Sequence, residues 1–192
     1  KGPTRDGFGG RRWAEAFLTW PDAPHMMGTT TIHDMPSQVR RLRREGDDGM
    51  RAVVEYLFTQ GVEPGDADTG DAALALRGAG IYQRRCRACH QSAGPGRTAE
   101  ADGPDLDGWG SREWMRAQIL RPDHLRNYGP RNHMTAFAHE LSDRDLATIL
   151  DYLRGLRATQ GPEVMIEPEP PPTPEGEAAP AEGAAAEAPP AA

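Results

Sequence analysis

Cys86-Arg87-Ala88-Cys89-His90 is the stretch on which the reading of this chain turns. Two thiols separated by two residues and followed at once by a histidine form the attachment signature of a c-type haem. The chemistry sets the spacing. Each thiol adds to one vinyl group of a single porphyrin, and the adjacent histidine then lies under the iron as its proximal ligand. Other readings fit less well. A zinc knuckle needs further Cys or His at ligand spacing, and the next histidine is His124. A thioredoxin-like pair sits beside a βαβ pattern, and no strand-rich stretch is visible. A disulfide across two intervening residues would be small and strained. Cys86 and Cys89 are the only cysteines in the sequence, so haem attachment consumes both.

The formal net charge of −7 acquires meaning once it is located. Residues 162–192 hold seven glutamates and no lysine or arginine, leaving 22 acidic and 22 basic side chains in the preceding body. The body is therefore neutral and lacks the basic footprint that nucleic acid requires. No apolar run approaches a membrane span. No signal peptide is present, yet c-type haems are attached outside the bacterial inner membrane, so the chain reads as a processed or trimmed product. The segment 162–192, with nine prolines and nine alanines, has little to bury and reads as a low-complexity acidic tail with polyproline II character.

A shift of 101 positions exposes an internal repeat. Gly2–Gly28 (GPTRDGFGGRRWAEAFLTWPDAPHMMG) lies over Gly103–Gly129 (GPDLDGWGSREWMRAQILRPDHLRNYG), with 11 of 27 positions identical. Gly, Pro and Trp recur together, as in Pro3/Pro104, Trp13/Trp114 and Pro21/Pro122, and Phe8 matches Trp109 in kind. After a two-residue gap Met35 falls over Met134, and Val53–Leu57 (VVEYL) lies over Ile149–Leu153 (ILDYL). Such a pattern indicates duplication.

Helical periodicity accompanies it. Ser142 is placed as an N-cap with Leu141 and Leu146 as a hydrophobic staple, before Leu146, Ile149, Leu150 and Leu153 at helical spacing. Met50, Val53, Val54 and Leu57 repeat the stripe after Asp47 or Asp48; both stripes read as core packing. A further helix over about Asp71 to Arg85 leads into the cysteine motif. Gly46–Gly49 and Val62–Gly70 read as loops, the second as a domain boundary. The expected division is 1–68, a repeat without the cysteine motif; 69–161, a haem-bearing domain; and 162–192, the tail.

Residues 71–157 resemble a class I cytochrome c domain, an all-α fold around one haem. The resemblance is carried by Gly78 and Tyr82 (GxxxY), by CRACH, by GPDL (Gly103–Leu106) and by YGPRNHMTAF (Tyr128–Phe137) ahead of an amphipathic helix. It implies that the first helix packs against the last. It also implies that Cys86 and Cys89 anchor the haem, that His90 is the proximal ligand and that the Pro104 carbonyl accepts from that histidine, fixing its tautomer. Met134 is implied as the distal ligand, with His133 and His139 as local competitors. Trp109, Trp114 and Tyr128 line the pocket or meet the propionates, or are ordinary aromatic core. The segment is similar to the Asn-x-Met-Pro-x-Phe pattern of cytochrome c domains associated with bacterial bc-type respiratory complexes, except that Thr135 stands where proline is usual.

Six-coordinate His/Met iron has no open position for substrate, so the resemblance implies electron transfer rather than catalysis by the chain itself. The expectation is an extracytoplasmic c-type cytochrome, periplasmic or on the outer face of the bacterial inner membrane. Membrane association would run through partners, either cytochrome b-type or other subunits of a respiratory or photosynthetic complex. The first copy keeps Met35 beside Pro36 but no cysteine motif. It reads either as a second haem unit whose attachment motif lies upstream of Lys1, with Met35 as that haem's ligand, or as a degenerate, haem-free scaffold. A dihaem peroxidase-like enzyme and a haem-based gas sensor are the alternatives.

Overall fold

The computed structural model describes residues 3–28, 35–90, 103–166 and 168. Among these the protein is all helical, without a strand: α1 (Arg11–Thr19), α2 (Met35–Leu42), α3 (Gly46–Gln60), α4 (Ala72–Arg85), α5 (Arg112–Leu120) and α6 (Asp143–Leu156). Short 3-10 turns occupy Arg43–Glu45 and Gly129–Arg131. No described helix is long and apolar enough to cross a membrane. Most of the expected tail lies outside the described residues.

Local chemistry explains the helix boundaries. The Asp71 carboxylate accepts from the Ala73 and Leu74 amides and starts α4. Ser111 caps α5 by accepting from Trp114 N. Ser142 caps α6 by accepting from Asp145 N at 3.2 Å, and its own hydroxyl donates to Asp145 Oδ2 at 2.7 Å. Such caps satisfy amide donors that a helix start leaves over. The expected loop at Gly46–Gly49 is instead the first turn of α3. The chain passes into it from the 3-10 turn through Gly46 at φ +74. Gly49 is required there, because a Cβ would stand 2.5 Å from the Glu45 side chain.

The two stretches aligned at a 101-residue offset share their backbone hydrogen bonds. Thr4 N bonds His25 O, and Asp105 N bonds Arg126 O, both at 2.8 Å. Trp13 Nε1 donates to Thr4 O at 2.8 Å, and Trp114 Nε1 donates to Asp105 O at 2.7 Å. Gly7 and Gly108 take φ +70 and +71, and Gly9 and Gly110 take +81 and +80. The two glycine turns meet back to back, since a Cβ on Gly110 would lie 3.1 Å from Gly9 Cα. Around this contact Phe8, Trp13 and Trp109 stack edge-on or tilted with centroids 5.0–5.7 Å apart. The buried apolar residues form one core that draws on both stretches.

Helix pairing departs from what the family resemblance implied. Helix α4 packs along α3, not α6. At Gly78 the missing side chain admits the Ala52 carbonyl of α3, which an added Cβ would meet at 1.9 Å. Tyr82 then meets Tyr56 at a tilt with ring centroids 5.0 Å apart. Tyr152, the α6 residue aligned with Tyr56, is 67% exposed. The packing thus runs across the boundary expected at 68/69.

Polar clamps tie the end of α6 to the first half. Arg154 donates to Gly61 O at 2.7 Å and Gly110 O at 3.2 Å, and pairs with Asp66. Arg157 donates to Phe58 O at 2.8 Å and stacks on the Phe58 ring. Burial pulls its guanidinium down to about 10. Arg12 Nε reaches Pro162 O at 2.8 Å, so the chain leaving α6 is fastened to α1.

Candidate haem site

Helix α4 delivers the cysteine motif. Past Arg85 the backbone keeps turning: Cys86 N and Arg87 N both bond Tyr82 O, and Cys89 N and His90 N both bond Cys86 O. This tight coil brings both sulfurs and the imidazole onto one short stretch. Tyr82, buried in α4, donates its hydroxyl to His90 O at 2.7 Å. Burial raises the tyrosine well above its ordinary range, so it stays a neutral donor. Burial likewise pushes the Cys86 thiol up to about 11.

The His90 ring is held from the other side by the start of the GPDL segment. Its Nδ1 lies 2.7 Å from Pro104 O. A carbonyl only accepts, so Nδ1 carries the proton and Nε2 is the ring nitrogen whose lone pair a metal could take. Gly103 makes this approach possible, because a Cβ there would come within 2.4 Å of His90 Cε1. His90 itself is 8% exposed.

His90 and Cys89 face a cavity of about 510 Å³. Its wall is mainly apolar and includes Leu106, Trp109, Trp114, Met115 and Ile119 together with Tyr128, Ile149 and Leu153. Met134 lines the same cavity, on the segment opposite the motif in sequence. Asn132 brackets it: Asn132 Oδ1 accepts from Met134 N at 2.8 Å and Asn132 Nδ2 donates to Met134 O at 2.7 Å. Thr135 follows the methionine, and the Asn132 side chain holds the Met134 backbone through these two bonds. His133 and His139 are exposed and do not line the cavity.

The first half contributes to the same wall through Pro3, Phe8, Trp13, Leu18, Met35 and Leu57. Five of these stand at positions aligned with Pro104, Trp109, Trp114, Ile119 and Met134, and Leu57 aligns with Leu153. The Trp114 indole N–H is spent on Asp105 O, so this tryptophan packs against a ligand rather than donating to its carboxylates.

Several wall residues were not singled out by sequence reasoning. Gly103 opens the GPDL motif, but the motif alone does not reveal that a bare glycine is what clears the imidazole. Arg5 and Arg131 also line the cavity, and their positive charge suits the carboxylates of a haem. Gln118, in the wall, and Asn127, which bonds it from behind the wall, carry no motif signal at all. Only their contrast with Phe17 and Met26 in the aligned stretch could have drawn notice.

The donor set suits a porphyrin. A largely apolar cavity, one buried imidazole with a fixed tautomer and two adjacent thiols match haem c. Among the described residues no group of three or more His, Cys, Asp or Glu could hold a bare ion. The site and fold thus define a covalent haem-binding, all-α domain of the class I cytochrome c type. Residues 73–153 match the family described as cytochrome C oxidase, cbb3-type, subunit III, and a cytochrome c domain of that kind implies covalently bound haem c. No curated protein and no solved structure matches the chain.

Proposed function

We propose that this protein is an extracytoplasmic electron-transfer cytochrome working as a fixed subunit of a membrane respiratory or photosynthetic complex. That a c-type cytochrome domain serves electron transfer follows from its family; the location, the complex and the ligand roles are the proposal. The observation that carries it is the placement of His90 and Met134 in the wall of one apolar cavity, with the imidazole locked by Pro104. In this reading Cys86 and Cys89 hold the haem as thioethers. His90 Nε2 and the Met134 sulfur would be the two side-chain ligands of its iron.

Haem c supplies one-electron exchange between ferric and ferrous iron. The chain's residues do the rest. Pro104 O strengthens His90 as a donor by accepting a hydrogen bond from its Nδ1–H. The thioether of Met134 favours the ferrous state and blocks small ligands. Trp109, Trp114 and Ile119 exclude water, which lowers the reorganisation that accompanies charge change. A body with equal numbers of acidic and basic side chains suits a fixed subunit better than a carrier steered by charge.

We further read the first half as a second haem unit of the same design. The recurring hydrogen bonds and the aligned wall residues support this, with Met35 as its candidate distal ligand. A haem count on the natively isolated protein tests it. Two haems per polypeptide are expected, and one haem makes the first half a scaffold. For the main proposal, the haem-loaded chain should show a sulfur-to-iron charge-transfer band when oxidised. Absence of that band removes Met134 from the iron and turns the reading toward a ligand-binding haem.

A further inference from the structure

We propose that Gln118 and Asn127 form an amide relay that tunes the haem site, holding its potential below the value the apolar wall alone would set. The inference rests on haem c at His90 and is independent of the redox partner.

The relay is fixed by backbone groups. Asn127 is 6% exposed, and its Nδ2 donates to Arg121 O at 2.5 Å and Ala117 O at 3.1 Å. Carbonyls only accept, so the Asn127 amide can present only its oxygen in the other direction. That oxygen accepts from Gln118 Nε2 at 2.8 Å. Gln118 is therefore oriented as well, and its Oε1 is left buried without a hydrogen-bond partner. A buried orphan acceptor costs stability and calls for a reason. Gln118 belongs to the cavity wall, and the described protein offers its Oε1 nothing.

The direction of the effect follows from the dipoles. Two backbone carbonyls, the Asn127 amide and the Gln118 amide run head to tail, and such chains polarise one another. The negative end of the chain is Gln118 Oε1. In a low-dielectric wall this partial charge favours the more positive, ferric state of a nearby iron. The redox step concerned adds one electron to the iron and makes or breaks no bond.

The aligned stretch supplies an internal comparison. Phe17 stands where Gln118 does and Met26 where Asn127 does. Phe17 stacks on Trp13 with centroids 5.4 Å apart, and Met26 is wholly buried. The same fold position is thus filled without any amide, so the polar pair is not needed to build the helix or the turn.

The test is an optical redox titration of the haem-loaded full chain, native against Gln118→Met, which keeps the volume and removes the amide. The midpoint potential should shift upward while the haem spectrum is retained. Gln118→Phe, copying the other stretch, should shift it in the same direction and stands in if the first variant loads haem poorly. Asn127→Met should give a smaller upward shift, because it frees the Gln118 amide to turn. An unchanged or lower potential in the Gln118 variants overturns the proposal. So does a fall in melting temperature with the potential unmoved, the signature of a merely structural pair.

Discussion

His90 is positioned by three contacts of different kinds: a peptide carbonyl at Pro104, a hydroxyl from Tyr82 and a bare glycine at Gly103. The glycine is the most sensitive of them. A methyl at position 103 would overlap the imidazole, so Gly103→Ala should tilt the ring and cost about 1–3 kcal/mol. The expected result is poorer haem retention in a chain that still folds, read from the ratio of haem to protein absorbance. Met134 differs because its segment is open, with the side chain 42% exposed. Met134→Leu keeps the shape and removes the sulfur. Covalent haem should persist while the oxidised chain loses its sulfur-to-iron band and its potential falls.

The helix pair α3–α4 is what aims the cysteine motif, and Gly78 is its closest point. Gly78→Ala places a methyl against the Ala52 carbonyl, and neither backbone can move away without loosening the Tyr56–Tyr82 contact. We expect a loss of about 1–3 kcal/mol, measured as a lower urea midpoint with a native-like slope. This element also shows what the sequence could and could not convey. The motif, the Ser142 cap and the α6 stripe were legible because each is a local pattern with a local cause. The partner of α4 was not legible, because VVEYL and ILDYL are nearly the same sequence and either could receive a GxxxY helix. Choosing between them is a matter of tertiary packing. The Gly46–Gly49 turn was misread for a related reason: glycine and aspartate signal a loop locally, whereas Glu45 and the α3 core hold them helical.

At the scale of the whole molecule, the two halves are joined by apolar contacts between Phe8, Trp13 and Trp109 and by ion pairs around their rim. Within the first half the buried carboxylate of Glu55 accepts from Arg11 Nε at 2.5 Å, and it reaches the second half by accepting from the Asp71 amide at 2.6 Å. The Arg11 guanidinium holds Glu55 below the usual carboxylate range. A carboxyl depressed in the folded state stabilises fully above its unfolded pKa and loses that contribution as pH falls through the folded one. Stability should therefore decline as the solution is acidified below the ordinary carboxylate range. Glu55→Gln should flatten that decline and cost about 2 kcal/mol at neutral pH, both read from melting curves across pH. The acidic tail sequence contributes net charge but no buried partner among its described residues, apart from Val164 against the core and Pro162 on Arg12. The central claim is that His90 and Met134 would both bind the haem iron. Carbon monoxide titration of the reduced, haem-loaded chain tests it most directly. The account predicts a spectrum unchanged by the gas; rapid, stoichiometric binding would contradict it.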